Sequence, residues 1–302
     1  MSFIARVFPR RTRATPNDPL AFIGAPGLFP PKVDRVHISV TFTWDLAEGE
    51  RLAREWAPVA PVEIGGPATG MKGENFRPGM YLRPGYVITS RGCPNRCWFC
   101  SVWKRDGAVR ELPINHGWNV LDDNLLACSR DHVSRVISMM GNERHQGEFT
   151  GGLEAARFQP WAATALRSIR PKTVFFAYDE TDDWGPLVKA AEMCWQAGFT
   201  RASHCIRAYV LCGWPQDSMS AAEIRMREVL NLGIVPMAML WRNQDGKRDP
   251  AWRTFQRIWA RPASVCAMRS SGKKESEEET VGFRLRSPDQ KGNGVTPPAE
   301  PE

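Results

Sequence analysis

An α/β fold built on a parallel sheet is predicted for this chain, on three observations. Between Tyr86 and Leu240, short runs rich in β-branched and aromatic residues alternate with longer amphipathic runs, giving six predicted strands. That alternation specifies parallel strands joined by right-handed helical crossovers. Nearly every predicted strand also ends, on its C-terminal side, in glycine or a polar residue. The first of these strands runs directly into three closely spaced cysteines.

Taken in order, residues 1–32 are rich in Pro, Arg and Gly and read as a basic, irregular arm. MSFIARVFPRRTRATP has no continuous apolar stretch, so it is not a secretory signal. Residues 33–84 read as a small α/β lead-in. Val33 to Thr43 alternates apolar and polar residues, as a strand does. Asp45 to Trp56 carries Leu46, Leu52, Ala53 and Trp56 at near-helical spacing and stops before Pro58 and Pro61. Pro61 to Ile64 forms a second short strand closed by Gly65-Gly66-Pro67, and Met71 to Arg83 is a linker.

Residues 85–262 form the predicted core domain. Its strands are Tyr86 to Ser90, Trp118 to Leu121, Gly147 to Thr150, Thr173 to Tyr178, Ser203 to Cys212 and Ile234 to Leu240. The intervening helices are Arg130 to Met140, Pro160 to Ile169, Pro186 to Ala197 and Ala221 to Leu232. Asp122-Asp123-Asn124, Gly151-Gly152, Asp179-Glu180 and Gly213 follow successive strands. In α/β barrels that edge carries the chemistry, although Gly and Asp also favour plain turns. Residues 263–302 lack an apolar pattern and are expected to be a disordered tail.

Composition narrows the class. The chain has 302 residues, 42% of them apolar, enough for a real core, and no apolar run approaches a membrane span. Net charge is +7 and the pI about 9.1, while residues 270–302 hold five basic and seven acidic residues. The field of the remainder favours an anionic partner such as nucleic acid, but the basic residues are dispersed rather than striped, which also suits simple solubility. Eight cysteines in a chain this long do not make a disulfide scaffold. Reduced thiols point to a cytoplasmic protein. Cys128, Cys194, Cys205, Cys212 and Cys266 are scattered and read as small apolar residues.

The chemistry concentrates in VITSRGCPNRCWFC, residues 87–100, where Cys93, Cys97 and Cys100 stand at C-x3-C-x2-C. Thiolate sulfur ligates iron–sulfur clusters and is also accepted by zinc. Three cysteines leave one iron of a four-iron cubane open to a small molecule. They also suit a structural zinc knuckle with His116 as fourth ligand. On the alternative readings the protein is a non-catalytic metal module, of zinc or iron–sulfur, that binds nucleic acid, or an iron–sulfur module that carries electrons.

The leading strand, the cysteine spacing and the aromatic Phe99 before the last cysteine together resemble the signature of the radical S-adenosylmethionine (radical SAM) superfamily. The resemblance covers roughly residues 85–242. It implies a 4Fe-4S cluster on the three cysteines, S-adenosylmethionine chelated to the open iron, and Phe99 beside the adenine. It implies a partial (βα)6 TIM-like barrel, an open arc of three-quarters of the eight-stranded form. It further implies reductive cleavage of S-adenosylmethionine to a 5′-deoxyadenosyl radical that takes hydrogen from a substrate. An electron donor of flavodoxin or ferredoxin type is then a partner.

Gly151-Gly152 is similar to the family's Gly-Gly-Glu element, which receives the methionine amino group, with Leu153 in place of the usual glutamate and Glu154 one residue later. Asp179 or Glu180 corresponds to a residue that bonds ribose hydroxyls; either also suits a helix cap. Parity on the fifth strand turns Ile206, Ala208 and Val210 under the helices and Arg207 and Tyr209 to the other face. A cofactor carboxylate, Asp179 or another structural anion is expected to pair with Arg207. Leu211 and Gly213 match part of a family motif whose first glycine and final glutamate are here Tyr209 and Gln216. Backbone at Pro236 to Met239 lies near the adenine in relatives. Glu63-Ile64-Gly65-Gly66-Pro67 resembles the closing strand of the cobalamin domain that many members carry, but the D-x-H-x-x-G signature is absent, so the lead-in reads as a reduced relic or a packing module.

Overall fold

A computed structural model describes residues 3–70, 80–243, 246, 249–261 and 265. Most of the linker from Met71 to Arg83, the tail from 263 onward apart from Val265, and Cys266 fall outside the described residues. The protein is α/β with two parallel sheets and one short antiparallel pair.

The N-terminal sheet has the order β2-β1-β3-β4, with β1 at Ile4–Phe8, β2 at Ala21–Ile23, β3 at Arg35–Ser39 and β4 at Val62–Gly65, all parallel. Helix α1, Leu46–Trp56, joins β3 to β4. Ala5, Val7, Val36, Ile38, Val40, Leu52 and Trp56 form its core. Gly49 lets the helix lie close to the sheet, since a Cβ there would come within 2.6 Å of Val40 Cγ2. This corrects the expectation of an irregular arm over residues 1–32. Strand β1 sits inside the sheet and buries Ala5 and Val7, while Arg6 on the alternate face is neutralised by Asp18 and donates to the Met80 carbonyl at 2.7 Å. The five-residue alternation Ile-Ala-Arg-Val-Phe was masked by the surrounding arginines.

Because β1 pairs on both sides, removing residues 1–24 takes out two strands and two of the seven buried core residues, Ala5 and Val7. We expect the truncated protein to lose the cooperative unfolding of this unit, by several kcal/mol at roughly 25 cal/mol per Å² of apolar surface lost. Urea denaturation followed by the fluorescence of Trp56, which donates to the Gly24 carbonyl at 3.0 Å, measures it. An unchanged transition would restore the picture of a loose arm.

The large sheet has the order β12-β11-β10-β9-β8-β5, all parallel. Its strands are β5 Tyr86–Val87, β8 Asn119–Val120, β9 Glu148–Leu153, β10 Thr173–Tyr178, β11 Ile206–Cys212 and β12 Val235–Leu240. Helices α3 (Arg130–Gly141), α4 (Pro160–Ser168), α5 (Trp184–Gln196) and α6 (Met219–Leu232) connect neighbours in turn from β8 to β12. Each strand therefore lies beside the next in sequence. Ile206, Ala208 and Val210 join the core that the helices cover, as the parity of the strand predicted.

Three local differences from the sequence expectation matter. The first strand is broken: β5 stays in the sheet, while β6 (Ser90–Arg91) turns away to pair antiparallel with β7 (Arg110–Glu111). The cysteine loop, with the short helix α2 (Val102–Arg105), is thus an insertion closed at its root by a two-strand clasp. Strand β9 does not end before Gly151 but runs through to Leu153, with a register shift against β10 between Val174 and Phe176. A further helix, α7 (Pro250–Trp259), is capped by Asp249, which accepts from Ala251 N at 2.7 Å, and buries Phe255 and Trp259.

A candidate metal centre and its adjoining cavity

The cysteine loop is fixed by backbone geometry. Gly92 has φ +89°, and a Cβ there would lie 2.3 Å from the Ala108 carbonyl oxygen. Cys93 N donates to the Gly107 carbonyl at 3.0 Å, Cys100 N to the Cys97 carbonyl at 3.1 Å, and the Trp103 indole to the same carbonyl at 3.2 Å. Cys93, Cys97 and Cys100 are all free thiols and half-buried. Burial pushes the Cys97 thiol up to about 11, and the negative charges of Cys100, Cys93, Glu180 and Asp179 add to the shift. Burial raises Cys100 as well, with Cys93 and Asp123 contributing. The three sulfurs therefore share one electrostatic patch, and that patch favours a positive guest.

The donor set is three thiols at one loop. Among the described residues no three His, Cys, Asp or Glu side chains are gathered to hold a single metal ion. One zinc needs its ligands on a common tetrahedron, whereas a cubane takes one thiolate on each of several irons. His116, expected as a fourth zinc ligand, stands elsewhere. It is 92% exposed at the start of β8, and its Nδ1 lies 3.1 Å from Glu143 Oε1, beyond the far end of α3. The zinc knuckle as drawn from the sequence is corrected on this point. Three free thiols on one loop are the donor type that an iron–sulfur cluster takes.

Asp122-Asp123-Asn124, read from the sequence as part of the edge that carries chemistry or as a plain turn, ties down the cysteine loop. Asp122 is buried and accepts from Thr89 N at 2.6 Å, Thr89 Oγ1 at 2.6 Å and Ser90 Oγ at 2.7 Å. Asp123 accepts from Gly92 N at 3.0 Å and pairs with Arg91 at 3.3 Å. Asn124 Nδ2 donates to Glu154 Oε2 at 2.6 Å and reaches Cys93 Sγ at 3.4 Å. Its Oδ1 is buried without a partner among the described residues. Glu154, set one place late against the resemblance, thus acts through Asn124 on the first cysteine.

Gly151 and Gly152 have separate reasons to be glycine. A Cβ on Gly151 would lie 2.4 Å from the Asp122 carbonyl oxygen, so β9 could not close onto the β8 loop. Gly152 has φ +91°, and an added Cβ would meet only Tyr209 Cδ2, at 3.9 Å. The space over Gly152 is therefore open on the face away from the helices. Tyr209 stacks on Phe175 at 4.2 Å and donates to the Thr150 carbonyl at 3.0 Å.

Arg207 shares that face but not that level. It pairs in register with Phe175, and Asp179 lies four residues further along, about 13 Å at the usual strand rise. Its guanidinium stands over the Phe175 ring at 5.7 Å, and its Nε donates to the His204 carbonyl at 3.2 Å. The expected Arg207–Asp179 pair is corrected: Arg207 belongs to the foot of the sheet, away from the cysteine loop.

Asp179 and Glu180 separate into two roles. Glu180 caps the turn Thr181–Asp183 in a reciprocal capping box with Asp183. Asp179 uses its backbone N–H in that cap, donating to Asp183 Oδ2 at 2.9 Å, and its own carboxyl is pushed up to about 7 by burial and by Asp183. A cavity of about 370 Å³ opens here, lined by Trp98, Asp179, Glu180, Thr181, Trp214, Gln216 and Arg225. Trp98 is 52% exposed and lies edge-on to Phe99 at 5.4 Å and to Trp214 at 6.2 Å. Arg225 covers the other side of Trp214 at 4.6 Å, held by Asp217 at 2.8 Å. Asp217 also accepts from Gly213 N at 2.8 Å. Gly213 itself is needed for packing: with φ +78°, a Cβ would strike Leu240 Cδ1 at 2.5 Å.

Asp179 has a pH signature in the metal-free protein. Its folded pKa is raised above the unfolded one, so the native state holds the extra proton. Stability then falls as pH rises from the ordinary carboxylate range through about 7. Asp179→Asn should stabilise by on the order of 1 kcal/mol at pH 8 and leave stability unchanged near pH 4. Equal effects at both pH values would contradict the raised pKa.

The lining residues Trp98, Trp214 and Arg225, and the Asn124 contact to Cys93, were not singled out from the sequence. Trp98 stands between Cys97 and the chosen Phe99, and Trp214 directly follows Gly213; tryptophan beside each motif was the available signal. Among the described residues, no helix is long and apolar enough to cross a membrane. The chain matches no protein-family model and no curated protein.

Proposed function

We propose that this protein is a radical SAM enzyme with a core of (βα)6 type, open like three-quarters of a barrel. The single observation that carries the reading is the clasped loop presenting Cys93, Cys97 and Cys100 beside a cavity walled by aromatic rings and Asp179. The consecutive order of the six parallel strands supports an arc rather than a doubly wound sheet.

On this reading Cys93, Cys97 and Cys100 hold a 4Fe-4S cluster, and the aromatic cavity takes the nucleoside of S-adenosylmethionine. Bound there, the cluster supplies one electron, received from a flavodoxin- or ferredoxin-type donor, for cleaving S-adenosylmethionine to methionine and a 5′-deoxyadenosyl radical that takes hydrogen from the substrate. The chain's residues do the positioning. Trp98, Phe99 and Trp214 give the adenine apolar faces and exclude water. Asp179 offers two acceptor oxygens to a vicinal diol when ionised. Asn124, held by Glu154, reaches the Cys93 sulfur and orients it. Glycine at 152 leaves room for close approach to the backbone.

Anaerobic incubation of the iron- and sulfide-loaded protein with dithionite and S-adenosylmethionine tests the reading. Formation of 5′-deoxyadenosine, dependent on reductant, is expected. Loaded protein that yields none would remove the enzymatic reading.

A further inference from the structure

On three helices an exposed arginine is answered by an acid one turn away. Arg51 on α1 pairs with Glu48 and Glu55, Arg135 on α3 with Asp131 at 2.9 Å, and Arg227 on α6 with Glu223 at 2.6 Å. Helix α7 has no such acid. Pro250–Trp259 reads PAWRTFQRIW, and Asp249 before it is engaged in the cap to Ala251 N. The inward face of α7 is fixed: Phe255 and Trp259 are buried, and Gln256 donates to the Ala238 carbonyl at 3.3 Å. The outward face carries Arg253 and Arg257, with Arg261 at the same spacing just past the helix. All three are exposed, and none forms an ion pair with a described residue. Pro250, Arg253, Thr254 and Arg257 line a cavity of about 250 Å³ on this face. Like charges at i, i+4 repel, so a groove with two guanidiniums on its walls favours an anion between them.

The missing acids follow in the same chain. Beyond Arg261 it continues to residue 302, outside the described residues apart from Val265. Its first acidic run there is Glu275-Ser276-Glu277-Glu278-Glu279, four carboxylates in five residues. Glu275 lies fourteen residues past Arg261, a reach of up to about 46 Å in extended chain. The helix from Arg253 to Arg261 measures only about 12 Å, so the run can return to the groove. A segment tethered this closely stands at roughly millimolar effective concentration. Single exposed ion pairs are weak, but clustered arginines recognise runs of acidic groups together.

We propose that the acidic run at residues 275–279 folds back onto the arginine face of α7, fills the groove between Arg253 and Arg257, and shields it from other polyanions. Photo-cross-linking of the full chain tests it, with p-benzoylphenylalanine placed at Ser276 and the cross-links mapped by mass spectrometry. A cross-link within the chain to α7 is expected. Its yield should fall about three-fold or more in the double variant Arg253→Gln/Arg257→Gln and in raised salt. Arg135→Gln, on a helix whose arginine has its own acid, should leave it unchanged. All three positions are exposed, and matched thermal unfolding of the variants separates loss of docking from loss of fold. Cross-links scattered over the chain, cross-links joining two copies, undiminished yield in the double variant, or a groove held instead by co-purified nucleic acid overturns the proposal. The measurement needs neither cluster nor S-adenosylmethionine, so it and the test of the proposed function fail independently.

Discussion

Cys97→Ala should leave the protein folded but unable to hold the proposed cluster. Cys97 is half-buried in the middle of the loop, and the loop's fold rests on main-chain bonds, Cys93 N to Gly107 and Cys100 N to Cys97, that an alanine keeps. What is lost is the second of three thiolates. Two remaining cysteines cannot supply three ligands to a cubane. Iron after reconstitution is expected to fall from about four atoms per chain to below about one. Cleavage of S-adenosylmethionine should fall by more than about 100-fold, since even a residue acting behind a metal ligand is worth 10–100-fold. Cys128→Ala is the matched control: Cys128 is also half-buried and free, but lies beyond β8 outside the motif. It should retain full iron. Equal iron in both variants would detach the motif from the metal.

Asp122→Ala should cost more stability than any other single change near the loop. The Asp122 carboxylate is buried and receives three hydrogen bonds from Thr89 and Ser90, at the root of the clasp. His132, also buried, adds Nε2 to Thr89 Oγ1 at 3.2 Å from beneath. Alanine leaves a buried N–H and two hydroxyls without their acceptor, each worth about 1–3 kcal/mol. A loss of about 3–5 kcal/mol is expected in urea denaturation, with cluster loading reduced as the loop loosens. Asp122→Asn keeps the shape but only one acceptor oxygen, so it should fall between the two. Burial raises the Asp122 pKa and the bonds from Thr89 and Ser90 lower it, with burial prevailing. Asn should therefore be tolerated best at high pH, where the charged Asp122 is penalised by burial. A loss under about 1 kcal/mol for alanine would show that the root of the loop is held by something else.

Much of this architecture was legible in the residues. Thr173 to Tyr178 was bounded correctly because TVFFAY is a pure β-forming run between turn residues. The faces of β11 followed from parity alone. The strand Ile4–Phe8 was missed because its alternation is short and its polar residue is arginine, whose partner Asp18 is supplied by tertiary structure. The role of Asp122 was invisible for a related reason: an aspartate after a strand looks the same whether it caps a helix, faces a ligand or binds the backbone of another loop. The Arg207–Asp179 pair did not form because strand parity fixes a face, not a height. Asp179 and Glu180 could not be separated in the sequence: both line the cavity, and only the capping box shows that Glu180 also caps the turn.

The central claim is a three-thiolate cluster with one iron open to S-adenosylmethionine. Electron paramagnetic resonance of the anaerobically reconstituted, reduced protein tests it most directly, recorded with and without S-adenosylmethionine. The account predicts a 4Fe-4S signal that changes shape when S-adenosylmethionine is added and disappears in Cys97→Ala. A protein that loads a single zinc and gives no signal, or a cluster signal indifferent to S-adenosylmethionine, contradicts it.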